Sequence, residues 1–200
     1  MKKFLILAAA LCVGGFSGSA IAAEKYEFDK VHSQILFFVD HLGFAKSQGE
    51  FHDYDGSFTF DRENPENSSV NVTIKSASID MDDEAWDTHM KSDHFFNVEA
   101  FPDMVFKSTS IAVTGEKTAD ITGDLTILGV TKPVVLKTVY NKSGENPYSK
   151  KFESGFSATA SLKRSDFGMT YGLPGVGDEV EIRLEVEAIR QDAEEEKAAE

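Results

Sequence analysis

Five histidines, 34 Asp and Glu residues and one cysteine are the side chains of this 200-residue chain that could do chemistry. Their spacing speaks against most of it. His89 and His94 stand five apart in a segment read as helical, which points their rings to different faces and denies them a shared zinc. His32, His41 and His52 lie on or beside strands, with no cysteine near them to complete a metal site, so no metal is expected. Asp87 and His89 are acid and base by type, but residues two apart on a helix do not face each other. No Gly-x-Ser-x-Gly elbow presents a serine nucleophile. Gly172-Leu-Pro-Gly-Val-Gly177 looks superficially like a phosphate cradle, yet no Lys-Ser/Thr pair or helix follows it and Gly177 leads into a strand. Neither catalytic residues nor a cofactor is expected, and an enzyme would need groups assembled in space.

Composition narrows the partners. The formal charge is −14, from 20 Lys and Arg against 34 Asp and Glu. Nucleic acid and anionic membrane surfaces both require a basic face, so neither is an expected partner. The aromatic content is lopsided, with 16 Phe beside five Tyr and one Trp. An acidic, soluble surface has no use for that much phenylalanine, so something apolar is being lined or filled.

The first 22 residues belong to export. Lys2 and Lys3 form a basic start, Phe4 to Val13 an apolar run, and Ala20-Ile21-Ala22 a small-residue cleavage site, the layout of a secretory signal peptide. The apolar run is too short for a membrane span, so no stable insertion follows cleavage. Cys12 invites a lipoprotein reading, but Leu11 occupies the place of the small residue that should precede it. Cleavage after Ala22 removes the only cysteine and leaves 18 basic against 34 acidic residues, a charge of −16. A short basic signal suits bacterial export, and the expected location is the periplasm. Residues 23–190 then form one domain, and residues 191–200 an acidic, frayed tail.

Period-two alternation dominates that domain. In Glu179 to Ala188, Val180, Ile182, Leu184, Val186 and Ala188 alternate with charged residues, as in a strand with one wet face. Further strands are expected at Gln34–Asp40, Gly49–Asp61, Val70–Lys75, Asp103–Val113, Ala119–Ile127, Thr131–Asn141 and Phe152–Leu162, with turns at Arg62–Ser69 and Asn141–Ser149. Asp83 to Asp93 breaks the pattern and reads as one short helix. The expected class is all-β with that helix, eight or nine strands in an antiparallel barrel or sandwich, and a barrel leaves no exposed edge.

With these elements in place, the chain resembles the YceI-like family of polyisoprenoid-binding proteins. The resemblance runs through Asp29, His32-Ser33 and His41-Leu42-Gly43, then Gly49-Glu-Phe51, Phe58-Thr-Phe60-Asp61 and His89-Met-Lys-Ser92. It continues through Phe95-Phe96, Phe101-Pro102, Phe106-Lys-Ser-Thr109, Gly123 to Pro133, Gly155-Phe156 and Arg164-Ser-Asp-Phe-Gly168. Members often have Arg-Asp where this chain has Trp86-Asp87, and Arg in place of Lys91, so contacts made by those arginines do not carry over. The resemblance implies an eight-stranded antiparallel, lipocalin-like barrel holding a polyprenyl lipid or quinone tail as carrier, store or scavenger.

Alternation supplies the wall of such a slot: Ile35, Phe37, Val39, Phe58, Phe60, Val72, Ile74, Met104, Phe106, Ile121, Leu125, Ile127, Leu136, Phe156, Ala158 and Leu184. His32, His41, His89 and Arg164 are candidates for a polar headgroup at the mouth, chosen for donor capacity. A filled barrel acting as a structural or stress-related interaction protein, and an enzyme acting on an isoprenoid lipid, stay open at this point. So does a homodimer.

Overall fold

The computed structural model describes residues 23–191, so the expected signal segment and the tail beyond Gln191 lie outside the described residues. Eleven strands form one antiparallel sheet: β1 (Glu24–Phe28), β2 (Gln34–His41), β3 (Ala45–Phe51), β4 (Tyr54–Phe60), β5 (Ser69–Lys75), β6 (Ile79–Asp80), β7 (Asp103–Gly115), β8 (Thr118–Ile127), β9 (Val130–Glu145), β10 (Phe152–Lys163) and β11 (Val176–Arg190). One helix, α1, spans Glu84–Lys91.

Eleven strands make eight staves. The ring runs β1-β4-β5-β7-β8-β9-β10-β11 and is closed by pairing of β1 with β11, while β2, β3 and β6 continue the lines of β1, β4 and β5. Thus β11 pairs with β1 through Ala188, Ile189 and Arg190, and with β2 from Val176 to Glu185. The barrel is therefore the eight-stranded antiparallel barrel expected, with three staves broken once each.

The breaks correct the strand reading. β1 and β6 were not anticipated, and the strand expected over Gly49–Asp61 is two strands separated at His52-Asp53. The turn expected from Asn141 begins later, because β9 runs on to Glu145 opposite a bulge at Gly155/Phe156. Where β1 gives way to β2, the ladder to β11 keeps one backbone bond, from the Asp29 N–H to the Glu187 carbonyl at 2.9 Å, and a side chain supplies the rest. The Ser33 hydroxyl donates to the Glu187 carbonyl and accepts from the Glu187 N–H, both at 3.0 Å. Asp29 accepts from Val31 N–H and bonds the His32 ring at 2.8 Å, fixing the corner that delivers Ser33. Backbone groups within a sheet need partners, and for the Glu187 N–H a hydroxyl serves as one.

Helix α1 starts where Asp83 caps it by accepting from Trp86 N–H at 2.9 Å. It ends at Lys91, two residues short of the expected end. Met90 from α1, with Phe95 and Phe96 beyond it, packs on Phe37, Phe51, Ile79, Met81 and Met104 at this end of the barrel.

Two glycines shape the inner surface. A Cβ on Gly49 would lie 2.3 Å from the tip of the Phe37 ring, and one on Gly123 would lie 2.3 Å from that of Phe106. Both rings therefore lie down against the neighbouring strand, in the space where another side chain would stand.

Candidate functional site: a long apolar lumen

Eight strands enclose an interior about wide enough for one slender ligand. Here that interior is hollow, with a cavity of about 630 Å3. Its wall draws on every stave, and all sixteen side chains predicted from alternation lie on it. So do ten of the 14 phenylalanines in the described residues, which places the phenylalanine excess inside. A strand of 15 residues such as β11 rises roughly 50 Å, and a tilt of about 40° reduces this to a lumen roughly 35–40 Å tall. The outer face of the same strand carries Glu179, Glu181, Arg183, Glu185 and Glu187. A barrel that crosses a membrane with its strands turns an apolar band outward, and this strand turns charge outward.

Sequence periodicity missed part of the lining. Phe51 and Tyr54 flank the β3/β4 break, and Met90, Phe95 and Phe96 come from α1 and the irregular segment after it. Neither region has a period to read. Tyr54 donates its hydroxyl to the Ser33 carbonyl at 3.1 Å, and burial pushes that hydroxyl above its ordinary pKa. Among the described residues, every buried side-chain nitrogen or oxygen has a hydrogen-bond partner. The body of the lumen therefore offers a ligand area and dispersion contacts rather than unsatisfied polar groups.

The four headgroup candidates separate. His41 and His89 line the cavity at the helix end, with the His41 ring edge-on to Trp86 at 6.1 Å. His32 does not line it; its ring sits outside at the Asp29 corner. Arg164 lines the cavity but its donors are committed, because it is only 4% exposed and bonds four backbone carbonyls. Nε donates to Gly177 at 2.7 Å, Nη1 to Met169 and Tyr171 at 3.1 and 2.9 Å, and Nη2 to Val176 at 2.9 Å. Burial lowers its pKa, and the nearby Asp178 works against that fall. Arg164 thus shapes the loop between β10 and β11.

The histidine pair overturns an expectation. His89 Nε2 lies 3.2 Å from His94 Nδ1, so the two rings face each other. The reason is local. α1 ends at Lys91, Ser92 donates its hydroxyl to the His89 carbonyl, and the chain folds back to set His94 flat on Tyr171 at 4.1 Å. His89 meets Tyr171 and Phe95 edge-on, at 5.4 and 5.1 Å. Where metal-type side chains gather elsewhere, at Asp29, His32 and Glu187 with ligand atoms within 4.8 Å of one another, they lie on the outside corner. There the shortest contact is the hydrogen bond that holds the turn.

Comparison with known proteins fixes the lineage. The YceI-like domain matches residues 26–188. This chain belongs to the YceI-like family. It is 43% identical over 187 residues to the UPF0312 protein of Ectopseudomonas mendocina, covering 92% of this chain and 97% of that one. It is 42% identical over 177 residues to Protein YceI of Salmonella arizonae, covering 88% and 91%. Among solved structures, the Campylobacter jejuni YCEI protein is similar at a TM-score of 0.70 with 31% identity, covering 76% of this chain and 90% of that one. A polyisoprenoid binding domain from Saccharophagus degradans shares the fold at a TM-score of 0.64 with 11% identity, covering 83% and 98%. The YceI-like barrel here is thus like those of its structural neighbours, and hollow.

Proposed function

We propose that this YceI-like protein is a non-enzymatic, periplasmic carrier or store for a long isoprenoid chain, a polyprenyl lipid or quinone tail, held extended in the lumen. The observation that carries this is a cavity of about 630 Å3 running the height of the barrel between phenylalanines and branched aliphatics. Its volume falls in the range of small-molecule sites, roughly 300–1,000 Å3, and its slender form suits a chain better than a compact molecule. Apolar area removed from water contributes about 25 cal/mol per Å2 before ordering costs, so a long chain gains more from this wall than a short one. The polar end of the ligand sits at the helix end, where His41 and His89 line the cavity and His94 and Tyr171 stack beside them. Secretion through the signal peptide of residues 1–22 supports the location, and an acidic outer face supports solubility.

Native mass spectrometry of protein purified from its own host without detergent, followed by organic extraction, tests this reading. The expected result is a mass shift that extraction removes and that yields an isoprenoid chain. A barrel that emerges empty and takes up no added polyprenyl lipid overturns it.

A further inference from the structure

The helix end of the barrel carries the largest grouping of exposed apolar side chains among the described residues. Phe44 is 88% exposed and Leu42 55% exposed at the tip of the β2–β3 hairpin, and Tyr171 and Trp86 are 45% and 37% exposed beside it. These are one patch. Leu42 lies over the β10–β11 loop, where its N–H donates to the Gly175 carbonyl at 2.9 Å, and its side chain fills the space a Cβ on Gly175 would need. His41, the residue before it, meets Trp86, and Tyr171 belongs to the same loop as Gly175. The tip is built to stay out in water. Asp40 accepts from Gly43 N–H at 2.9 Å, Leu42 and Gly43 both take left-handed backbone angles, and Lys46 bonds Glu181 at the hairpin's base. A rigid turn that holds Phe and Leu outward has no explanation in the packing of the barrel itself. Contiguous exposed apolar groups on a soluble protein mark a contact surface.

What the patch adjoins decides its partner. Trp86 and Tyr171 are at once exposed and part of the lumen wall, so the exposed apolar groups of this end include part of the cavity's rim. We propose that this end docks on an electrically neutral phospholipid surface, Phe44 and Leu42 entering it and Trp86 and Tyr171 resting at headgroup level, so that a lipid chain enters the lumen without crossing water. The arrangement matches interfacial anchoring, in which aliphatic and phenyl groups penetrate while Trp and Tyr sit at the boundary. It rests on the lumen being a chain-binding site. Charge selects the surface: Asp40, Asp82, Asp83, Glu84 and Asp93 are exposed around this end, against Lys132 and Lys163 exposed on the nearby strand ends, Lys46 paired with Glu181 and Lys91 4.0 Å from Asp87. An acidic collar repels anionic headgroups and leaves neutral ones approachable.

The test uses the double variant Leu42→Asn, Phe44→Ser. Neither residue lines the lumen, and Asn accepts the left-handed angles at position 42, so the barrel should melt as the wild type does. Wild-type protein should co-sediment with phosphatidylcholine vesicles, less so when phosphatidylglycerol is mixed in, and high salt should restore the difference. The variant should bind phosphatidylcholine vesicles about tenfold more weakly or worse, and should draw a fluorescent polyprenyl probe out of them correspondingly more slowly. Its affinity for a short, water-soluble prenyl probe should be unchanged. Wild-type protein that ignores the vesicles, or a variant that extracts the probe at the wild-type rate, overturns the proposal. So does a wild-type dimer by sedimentation velocity that the variant dissolves, which would assign the patch to self-association. Wild-type protein that sediments with vesicles yet binds neither probe leaves docking standing and removes the lumen reading instead.

Discussion

The two ends of the barrel are fastened with the same residue type in opposite settings. At the end where the described chain enters and leaves the wall, Glu24 accepts from Arg62 at 3.2 Å and from Arg190 at 2.9 Å, and both guanidinium groups lie over the Phe152 ring. Those groups stay partly wet. At the helix end a single arginine, Arg164, is turned into the protein and spends its donors on four backbone carbonyls of one loop. A wet ion pair trades one set of hydrogen bonds for another, whereas the buried Arg164 guanidinium gathers four part-buried or buried carbonyls around one centre. The helix end is thus the one whose loop is held to a fixed shape, and it is the end that exposes Phe44, Leu42, Trp86 and Tyr171. An opening that must meet another surface needs its outline kept, and the far end does not.

Breaking Arg164 should show the contrast most strongly. Arg164→Met leaves one buried and three part-buried carbonyls without their donor, at about 1–3 kcal/mol for the buried one and less for the others, so we expect a loss of roughly 3 kcal/mol. In a domain of this size that lowers Tm by about 6 °C at the least, read by near-ultraviolet circular dichroism. A melt within a degree or two of the wild type would show that the loop holds itself. Glu24→Gln, at the other end, should cost about 1 kcal/mol or less. Its melting difference should vanish in high salt, and a large, salt-independent loss would erase the distinction between the ends.

The smallest effect is expected midway, at the outside corner of the broken β1/β2 stave. The His32 pKa is raised by its hydrogen bond to Asp29 and by that carboxylate's charge. For Asp29, burial raises the pKa, but the bonds from His32 and from the Val31 N–H outweigh it and hold the carboxyl below its ordinary range. The contribution of His32 is complete below its unfolded value of about 6.5 and is lost as pH rises through the raised midpoint. That of Asp29 is complete above about 3.9 and is lost as pH falls through the depressed one. Proton NMR should place the His32 midpoint above about 6.5 in the wild type and return it to that value in Asp29→Asn. An unmoved midpoint would mean that the corner is held by Ser33 alone.

How much of this was legible in the chain depends on whether a residue's role leaves a period behind. Ile182 and Leu184 announce their side of the wall because strand geometry forces every second residue inward. Ser33 leaves no such trace, since it repairs a ladder only after β1 and β2 have been placed on the same neighbour. Arg164 was read for its donors, but what a donor serves depends on carbonyls from Met169 to Gly177 that come together only in the folded loop. For His89 and His94 the whole difference was where a helix stops, and helix ends are uncertain by a residue or two. Gly49 and Gly123 could be seen in the sequence, yet only Phe37 and Phe106 lying across them explain why they are there.

Those two glycines also set the bore of the barrel. Because each ring tip rests where a Cβ would stand at 2.3 Å, one added methyl group at position 49 has to lift the Phe37 ring off the wall, and one at position 123 has to lift Phe106 and also displace the Lys107 carbonyl, 2.7 Å away. Exchanging one of these small residues would therefore narrow the lumen where its wall is barest. The width of that bore rests on the smallest residues in the wall.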